Sequence, residues 1–398
     1  MIPTLLASEL FSCYDEYRVH HLRPSNCRHG EVVQELQHLV ERSGKILKLH
    51  SLGNSVEGRS INHVSCGTGK TSVLLWSQMH GDEPTATLAL MDIFHFLIQA
   101  AGKEPWVREL LSEITIHAIP MLNPDGAERV QRHTAVQIDM NRDARILATP
   151  EAKILRHAYK RLAPAFGFNL HDQSLSSVGN SSKVAALAFL APPSDQAGTM
   201  QLPRVRASRL AALMVRALNQ FAEGHFASYD DTFEPRAFGD MLQSWGTSTV
   251  LIESGHWPKD PEKNFIRKLN FVAILSALRA IGNNSYQDVE LDYYTSLPVN
   301  GKRIYHYIIH NLLLEFAGGW SHRVDVGLEL DPTMNRWQPD GRPSPPVVIV
   351  KEIGDLKDFG ALETISAHGR KISATSLQLD ESIQLSRILD LLQIYHGV

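Results

Sequence analysis

A chain of 398 residues, 43% hydrophobic and 21% charged, can bury a sizeable core and fill more than one domain. Its formal net charge of −4, with no basic stripe, excludes a nucleic-acid surface and an anionic-membrane partner. No apolar run reaches the roughly 18–20 residues needed to span a bilayer.

The N-terminal stretch MIPTLLASELFSCYDEY lacks the basic segment of a secretory signal. Three cysteines, Cys13, Cys27 and Cys66, make neither a disulfide framework nor a zinc knuckle. Reduced thiols and a cytoplasmic location are therefore expected. Residues 31–43 place Val33, Leu36 and Val40 at helical spacing. ILKLHSL and SINHVSCG read as strands joined by the turn-rich GNSVEGR. VLLWSQM (73–79) is nearly all apolar, as a strand buried on both faces should be. A helix follows over 84–101, with proline acceptable in its first turn.

ITIHAIPML (114–122) is the next strand. Thr149-Pro150-Glu151 supplies the cap, proline and early acid of a helix start, and that helix runs to Leu162. FGFNLH (166–171), VAALAFLA (184–191) and TSTVLIES (247–254) read as strands. Between them a long helix covers 203–222, and Asp260-Pro261-Glu262 opens another that ends at Gly282. Strands alternating with helices predict an α/β fold, a three-layer α/β/α domain with a mixed, largely parallel sheet over residues 1–285. The texture then changes. VDVGLEL alternates apolar and polar residues, RWQPDGRPSPP is a loop, VVIVKEIG and KISATSLQL are strands, and IQLSRILDLLQ has apolar spacing of three and four. A smaller β-rich domain is expected over 290–398. Its tryptophans Trp320 and Trp337 have no assignable role, and the oligomeric state stays open.

Three strand ends in the first domain carry conspicuous polar residues: His80 with Glu83 after VLLWSQM, His171 after FGFNL, and Glu253 after TVLI. Ligands of open α/β sheets bind beyond the carboxyl ends of the strands, so these groups can meet in one crevice. Two histidines and a carboxylate are the donor set of a catalytic zinc site, with a fourth position left for water. A further carboxylate is needed to take the water proton and return it to the leaving group. Glu253, in an apolar run, fits that task because desolvation raises its pKa.

The surrounding motifs extend the pattern. His80-Gly81-Asp82-Glu83 forms H-x-x-E, preceded by Gly53 and SVEGRSI (55–61). The block NPDGAERVQRHTAVQIDMNRD (123–143) carries N-P-D-G, the arginine Arg132, and a D-x-N-R close. With these blocks in order over about residues 45–260, the chain resembles the M14 (carboxypeptidase A-like) zinc metallocarboxypeptidases of the bacterial H-G-D-E type. The resemblance implies one Zn²⁺ held by His80, Glu83 and His171, with Glu253 and Arg132 as catalytic residues. It implies that Asn141 and Arg142 hold the substrate's terminal carboxylate and that Tyr229 clamps the substrate. Bidentate guanidinium suits a carboxylate better than lysine. The expected activity is hydrolysis of the C-terminal residue from a peptide or peptide-like small substrate.

The chain departs from the digestive members in two places: Asp82 stands between the first two ligands, and Asp143-Ala144 follows Asn141-Arg142. Arg236 and Asp240, upstream of Glu253, point to opposite substrate charges and leave specificity open. Two alternatives share the same residues. One is a zinc amidase or deacylase acting on N-acyl amino acids, like the desuccinylase and aspartoacylase branch. The other is a zinc-retaining binding protein without turnover.

Overall fold

The computed structural model describes residues 3–331 and 344–394; Trp337 and most of the 336–346 loop lie outside the described residues. Two compact units are present. The first takes residues 1–174, 186–255 and 262–300, and the second takes 175–185, 256–261 and 301–398.

In the first unit, eight strands form one sheet. They are β1 (Leu47–Asn54), β2 (Ser60–Cys66), β3 (Thr71–Ser77), β4 (Ile114–Ile119), β5 (Phe166–Asp172), β6 (Leu187–Leu190), β7 (Phe226–Ser228) and β8 (Ser248–Ser254). Their order is β1-β2-β4-β3-β5-β8-β6-β7. The central run β4-β3-β5-β8 is parallel, while β1, β2 and the β8–β6 pair are antiparallel. The fold is therefore α/β with a mixed sheet, and its parallel heart includes the three strands whose ends carry His80, His171 and Glu253.

Side-chain alternation along β3 explains the layers. Leu74 and Trp76 enter one apolar cluster with Ile61, Ile119, Leu155, Phe238 and Leu242. That face is covered by helices α6 (Pro150–Leu162) and α8 (Phe238–Ser244). Helix α6 begins where the Thr149 side chain accepts from the Ala152 amide, with proline at its first position. Over the other face lie α3 (Thr85–Ala100), α7 (Leu202–Leu218) and α9 (Asn264–Gly282), with α1 (Pro3–Tyr17) packed against α9 and α7. Helix α9 starts four residues later than Asp260 suggests. Lys263, in left-handed geometry at φ 53°, makes the entry, and residues 256–261 belong to the other unit. Helix α2 (His29–Arg42) buries Val32, Leu36 and Leu39, and Glu35 with them, rather than Val33 and Val40.

An ion pair joins the helices of the second face. Arg267 on α9 and Asp92 on α3 are both fully buried. Asp92 accepts from Arg267 Nε (2.6 Å), Tyr14 Oη (2.9 Å) and the Val19 amide (2.8 Å), while Arg267 donates to the Leu22 and Val19 carbonyls. Removing one partner leaves a buried charge unmatched, so Asp92→Ala is expected to destabilise this unit by about 3–5 kcal/mol in urea unfolding. The paired change Asp92→Leu, Arg267→Met should cost much less, because no isolated charge remains.

The second unit is built around a sheet of β9 (Ile304–Glu315), β10 (Ser321–Leu330), β11 (Val347–Gly354), β12 (Gly360–Ser366), β13 (Lys371–Ser373) and β14 (Ser382–Gln384). The order is β12-β9-β10-β11-β14, with β13 beside β9. Ile309, Leu312, Val326, Leu328, Val348 and Ile388 form its core. KISATSLQL is not one strand: it gives three strand residues, then a 3₁₀ turn over Ala374–Ser376 where Ser373 caps Thr375. The final apolar segment divides into β14 and a helix, Leu385–Leu391. Among the described residues no single helix is long and apolar enough to cross a membrane.

Candidate functional site

Just past the end of β3 the chain turns sharply to aim His80. Gln78 takes a positive φ of 51°. Its carboxamide donates to the Gly81 carbonyl (3.0 Å) and accepts from Thr87 Oγ1 (2.9 Å), which closes the turn. Gly81 touches the neighbouring helix α5 (Pro124–Arg129): a Cβ there would lie 2.0 Å from the Gly126 carbonyl carbon. Only glycine permits that approach.

The N-P-D-G block is the buttress behind this turn. Asn123 accepts from the Gly126 amide (2.9 Å) and donates to the carbonyls of Met79 (3.2 Å) and Arg132 (3.4 Å). It thereby ties the residue before His80 to the segment that carries Arg132. Asp125, fully buried, accepts from Ser55 Oγ (2.8 Å), the Glu57 amide (3.0 Å) and Arg59 Nη1 (2.7 Å). SVEGR and NPDG are thus two halves of one hydrogen-bonded support.

Three side chains converge on this frame. His80 Nδ1 and His171 Nδ1 each lie 2.8 Å from an oxygen of Glu83, Oε1 and Oε2 respectively, and 3.2 Å from each other. All three residues are more than nine-tenths buried. Of the described residues, they are the one group of three or more His, Cys, Asp or Glu whose donor atoms cluster closely enough for a metal ion. Two imidazole nitrogens and a carboxylate at these spacings match the donor chemistry of a zinc-type cation. Outer partners orient them as such sites require. His80 Nε2 lies 3.1 Å from Asp139 Oδ1, and the Asp172 amide donates to Glu83 Oε2 (3.1 Å).

Burial works against His80, but Glu83 and Asp139 raise it to about 9. Glu83 stays ionised well below the usual carboxylate range, because His80 and His171 outweigh its burial. His171 is pushed down, chiefly by burial. Glu253 lies opposite His171 in the β5–β8 register. Burial first, then the charge of Glu83, hold its carboxyl well above the ordinary range. Arg132 reaches the cluster from the loop after α5. Its Nε and Nη2 donate to Asp139 Oδ2 (3.2 and 3.1 Å), and Nη1 to Glu83 Oε1 (3.3 Å).

A family model for zinc carboxypeptidases, peptidase M14, matches residues 32–183, the stretch that carries H-x-x-E, N-P-D-G and His171. Over these residues the chain is similar to the peptidase M14 family. Carboxypeptidase 2 of Trichophyton equinum is 26% identical over 153 residues, 36% of this chain and 28% of that protein. Carboxypeptidase M of Mus musculus is 31% identical over 104 residues, 24% of each. The match thus spans under a third of these curated relatives. The fold is similar to the crystal structure of a metallo-carboxypeptidase from Burkholderia cenocepacia: TM-score 0.51 at 16% identity, over 64% of this chain and 68% of that one.

The remaining expected site residues gather nearby. Asn141 follows Asp139, whose side chain accepts from the Asn141 amide (2.8 Å); its own Oδ1 accepts from the Phe238 amide and so fixes the start of α8. Arg142 is half exposed. Its Nη1 donates to the Asn141 carbonyl (2.8 Å), and Nε lies 3.7 Å from Glu234. The Tyr229 phenol is pushed up to about 12 by the charge on Glu253, by burial and by Glu83, with Arg132 and Arg142 opposing. Its hydroxyl therefore feels the same set of charges as the cluster. Arg236 is exposed and paired with Glu234 (Nε to Oε1, 2.8 Å), whereas Asp240 is buried and accepts from the Glu234 amide. Asp82 is exposed and outside the cluster. Asp139 is the site residue that motif reading leaves without a job, although it opens the D-x-N-R close.

Proposed function

We propose that the protein is a zinc metallocarboxypeptidase that removes the C-terminal residue of a peptide or peptide-like substrate by hydrolysis. The observation that carries this reading is the meeting of His80, Glu83 and His171 with Glu253 across the ends of adjacent parallel strands. His80 Nδ1, Glu83 and His171 Nδ1 would hold one Zn²⁺. When bound, the ion lowers the pKa of water and polarises the scissile carbonyl. A nearby cation also favours ionised Glu253. In that form its carboxylate takes a proton from the attacking water and passes it to the departing amine. The half-exposed Arg132 guanidinium, steadied by Asp139, stabilises the oxyanion that develops. Arg142, half exposed and beside Asn141, receives the terminal carboxylate. Tyr229 closes over the substrate from the end of β7.

The test compares ordinary peptides with N-acyl amino acids as substrates of zinc-loaded protein. Release of single C-terminal residues from peptides supports the proposal. Activity confined to N-acyl amino acids overturns it in favour of an amidase. Zinc binding without turnover of either would overturn it in favour of a binding protein.

Asp139→Asn provides a second check. It keeps the shape but weakens the orienting contact to His80 Nε2, and zinc affinity is expected to fall about 10–100-fold by competition with a chelating dye. An unchanged affinity would show that Asp139 serves only Arg132.

A further inference from the structure

Thr115, near the start of β4 and beside Ser72 near the start of β3, lines a recess of 550 Å³. His80, Glu83 and His171 gather at the opposite ends of the parallel strands. A cross-strand row runs through the recess: Lys48 on β1 pairs with Ser65 on β2, and Ser65 with His117 on β4. Lys45, just before β1, and Arg108 on helix α4 (Pro105–Glu113) add two further cations, and Ile46 and Leu111 add apolar wall. Small-molecule sites have this size and this mixture of surfaces. No aspartate or glutamate lines the recess, and among the described residues no acid pairs with Lys45, Lys48 or Arg108. Three cations therefore share one concavity without a counter-charge.

The imidazoles beside this row supply a donor and no charge. His63 is buried, and its Nε2 lies 3.0 Å from His117 Nδ1. Burial above all pushes His63 down to about 3 and His117 to about 4, so both rings are neutral. His63 Nδ1 is buried with no hydrogen-bond partner. A proton there would be an orphaned donor, which folded proteins avoid. The shared proton therefore sits on His63 Nε2, and His117 carries its own on Nε2, where an occupant of the recess can accept it.

We infer that this recess binds a small organic phosphate, its phosphoryl group held by Lys45, Lys48 and Arg108 and its organic part resting on Ile46 and Leu111. A phosphoryl group carries close to two negative charges and three acceptor oxygens at neutral pH, enough to engage several cations at once, whereas a carboxylate carries one charge. The three basic side chains are exposed and can turn inward without disturbing the core. Arg108 Nη1 donates to the Ala101 carbonyl at 3.3 Å, a long contact that leaves the rest of its fork for phosphoryl oxygens. This site does not depend on the proposed activity.

The experiment titrates the zinc-loaded full chain with phenyl phosphate, inorganic phosphate and benzoate by calorimetry. Phenyl phosphate is expected to bind at a Kd below about 100 µM, at least about fivefold tighter than inorganic phosphate, which has no apolar part to bury. Lys48→Gln with Arg108→Gln should weaken it about 10–100-fold and leave the Tm unchanged, since both side chains are exposed. Lys103→Gln with Lys357→Gln removes the same charge outside the recess and should leave the Kd unchanged. Four results overturn the inference: both phosphates bound only at millimolar concentration, as for an adventitious ion only; phenyl phosphate binding that survives Lys48→Gln with Arg108→Gln; equal weakening by the Lys103 and Lys357 pair; or benzoate bound as tightly and weakened as much as phenyl phosphate. None of them bears on His80, Glu83 and His171, which every variant retains.

Discussion

Glu253→Gln is expected to lower kcat by about 10²–10⁴-fold while leaving zinc content and Tm essentially unchanged. The glutamine fills the same space at the end of β8 but cannot take a proton from water. Glu253 is well placed for proton transfer: it faces His171 across the sheet register, and burial with the charge of Glu83 keeps its carboxyl basic. Metal-free protein would hold it protonated. A cation among His80, Glu83 and His171 reverses that balance, so this carboxylate becomes ready only when the site is loaded. Kinetics with a chromogenic peptide, beside metal analysis of the same preparation, separate the two roles. A variant that loses zinc would make Glu253 part of the binding site, and one that keeps full kcat would remove it from catalysis.

Removing the metal is expected to abolish turnover, and rebinding to depend steeply on pH. His80, raised to about 9, carries a proton at neutral pH in the metal-free protein, and zinc must displace it. The sign follows directly. Below pH 9 the proton on His80 competes with the metal, so apparent affinity should fall at least about tenfold for each unit of decrease, and more steeply where Glu253 also gives up its proton. Above pH 9 that dependence should flatten. Glu83, ionised throughout, adds no step near neutrality, and His171, pushed down by burial, is already free of its proton. Calorimetry at pH 7.5 in buffers of different ionisation enthalpy should count about two protons released per zinc bound, one from His80 and one from Glu253. A count near one would mean that His80 is neutral before the metal arrives. In Asp139→Asn the count should drop, because Asp139 helps to hold that proton.

The site residues were legible because their spacing lies in short local blocks and their strands are long apolar runs. VLLWSQM, FGFNLH and TVLIES announce buried parallel strands, and parallel strands present their carboxyl ends together. The capped start at Thr149 was equally plain, since cap, proline and acid sit in three consecutive positions. What hid was whatever depends on tertiary partners. Asp125 is an unremarkable turn residue in sequence and a fully buried hub for Ser55, Glu57 and Arg59 in three dimensions. Arg236 and Asp240 looked equivalent until Glu234 paired with the first and packing buried the second. On α2 the choice between Val33 with Val40 and Val32 with Leu39 is one residue of rotation, which tertiary packing decides. In the C-terminal unit, IYHYIIHNLLLE reads neither as alternation nor as a short buried run. A register shift between Ile309 and Leu312 changes which side chains face inward, and Asn311 takes a positive φ of 61° there.

The most direct measurement is mass spectrometry of a defined peptide pool incubated with zinc-loaded protein, with Glu253→Gln beside it. Each peptide is offered with a free and with an amidated C-terminus. The prediction is stepwise loss of single residues from the free C-terminus in the wild-type sample, none in the variant, and little from amidated peptides that offer Arg142 no carboxylate. Intact peptides in both samples, or cleavage at internal bonds regardless of the terminus, would contradict a carboxypeptidase.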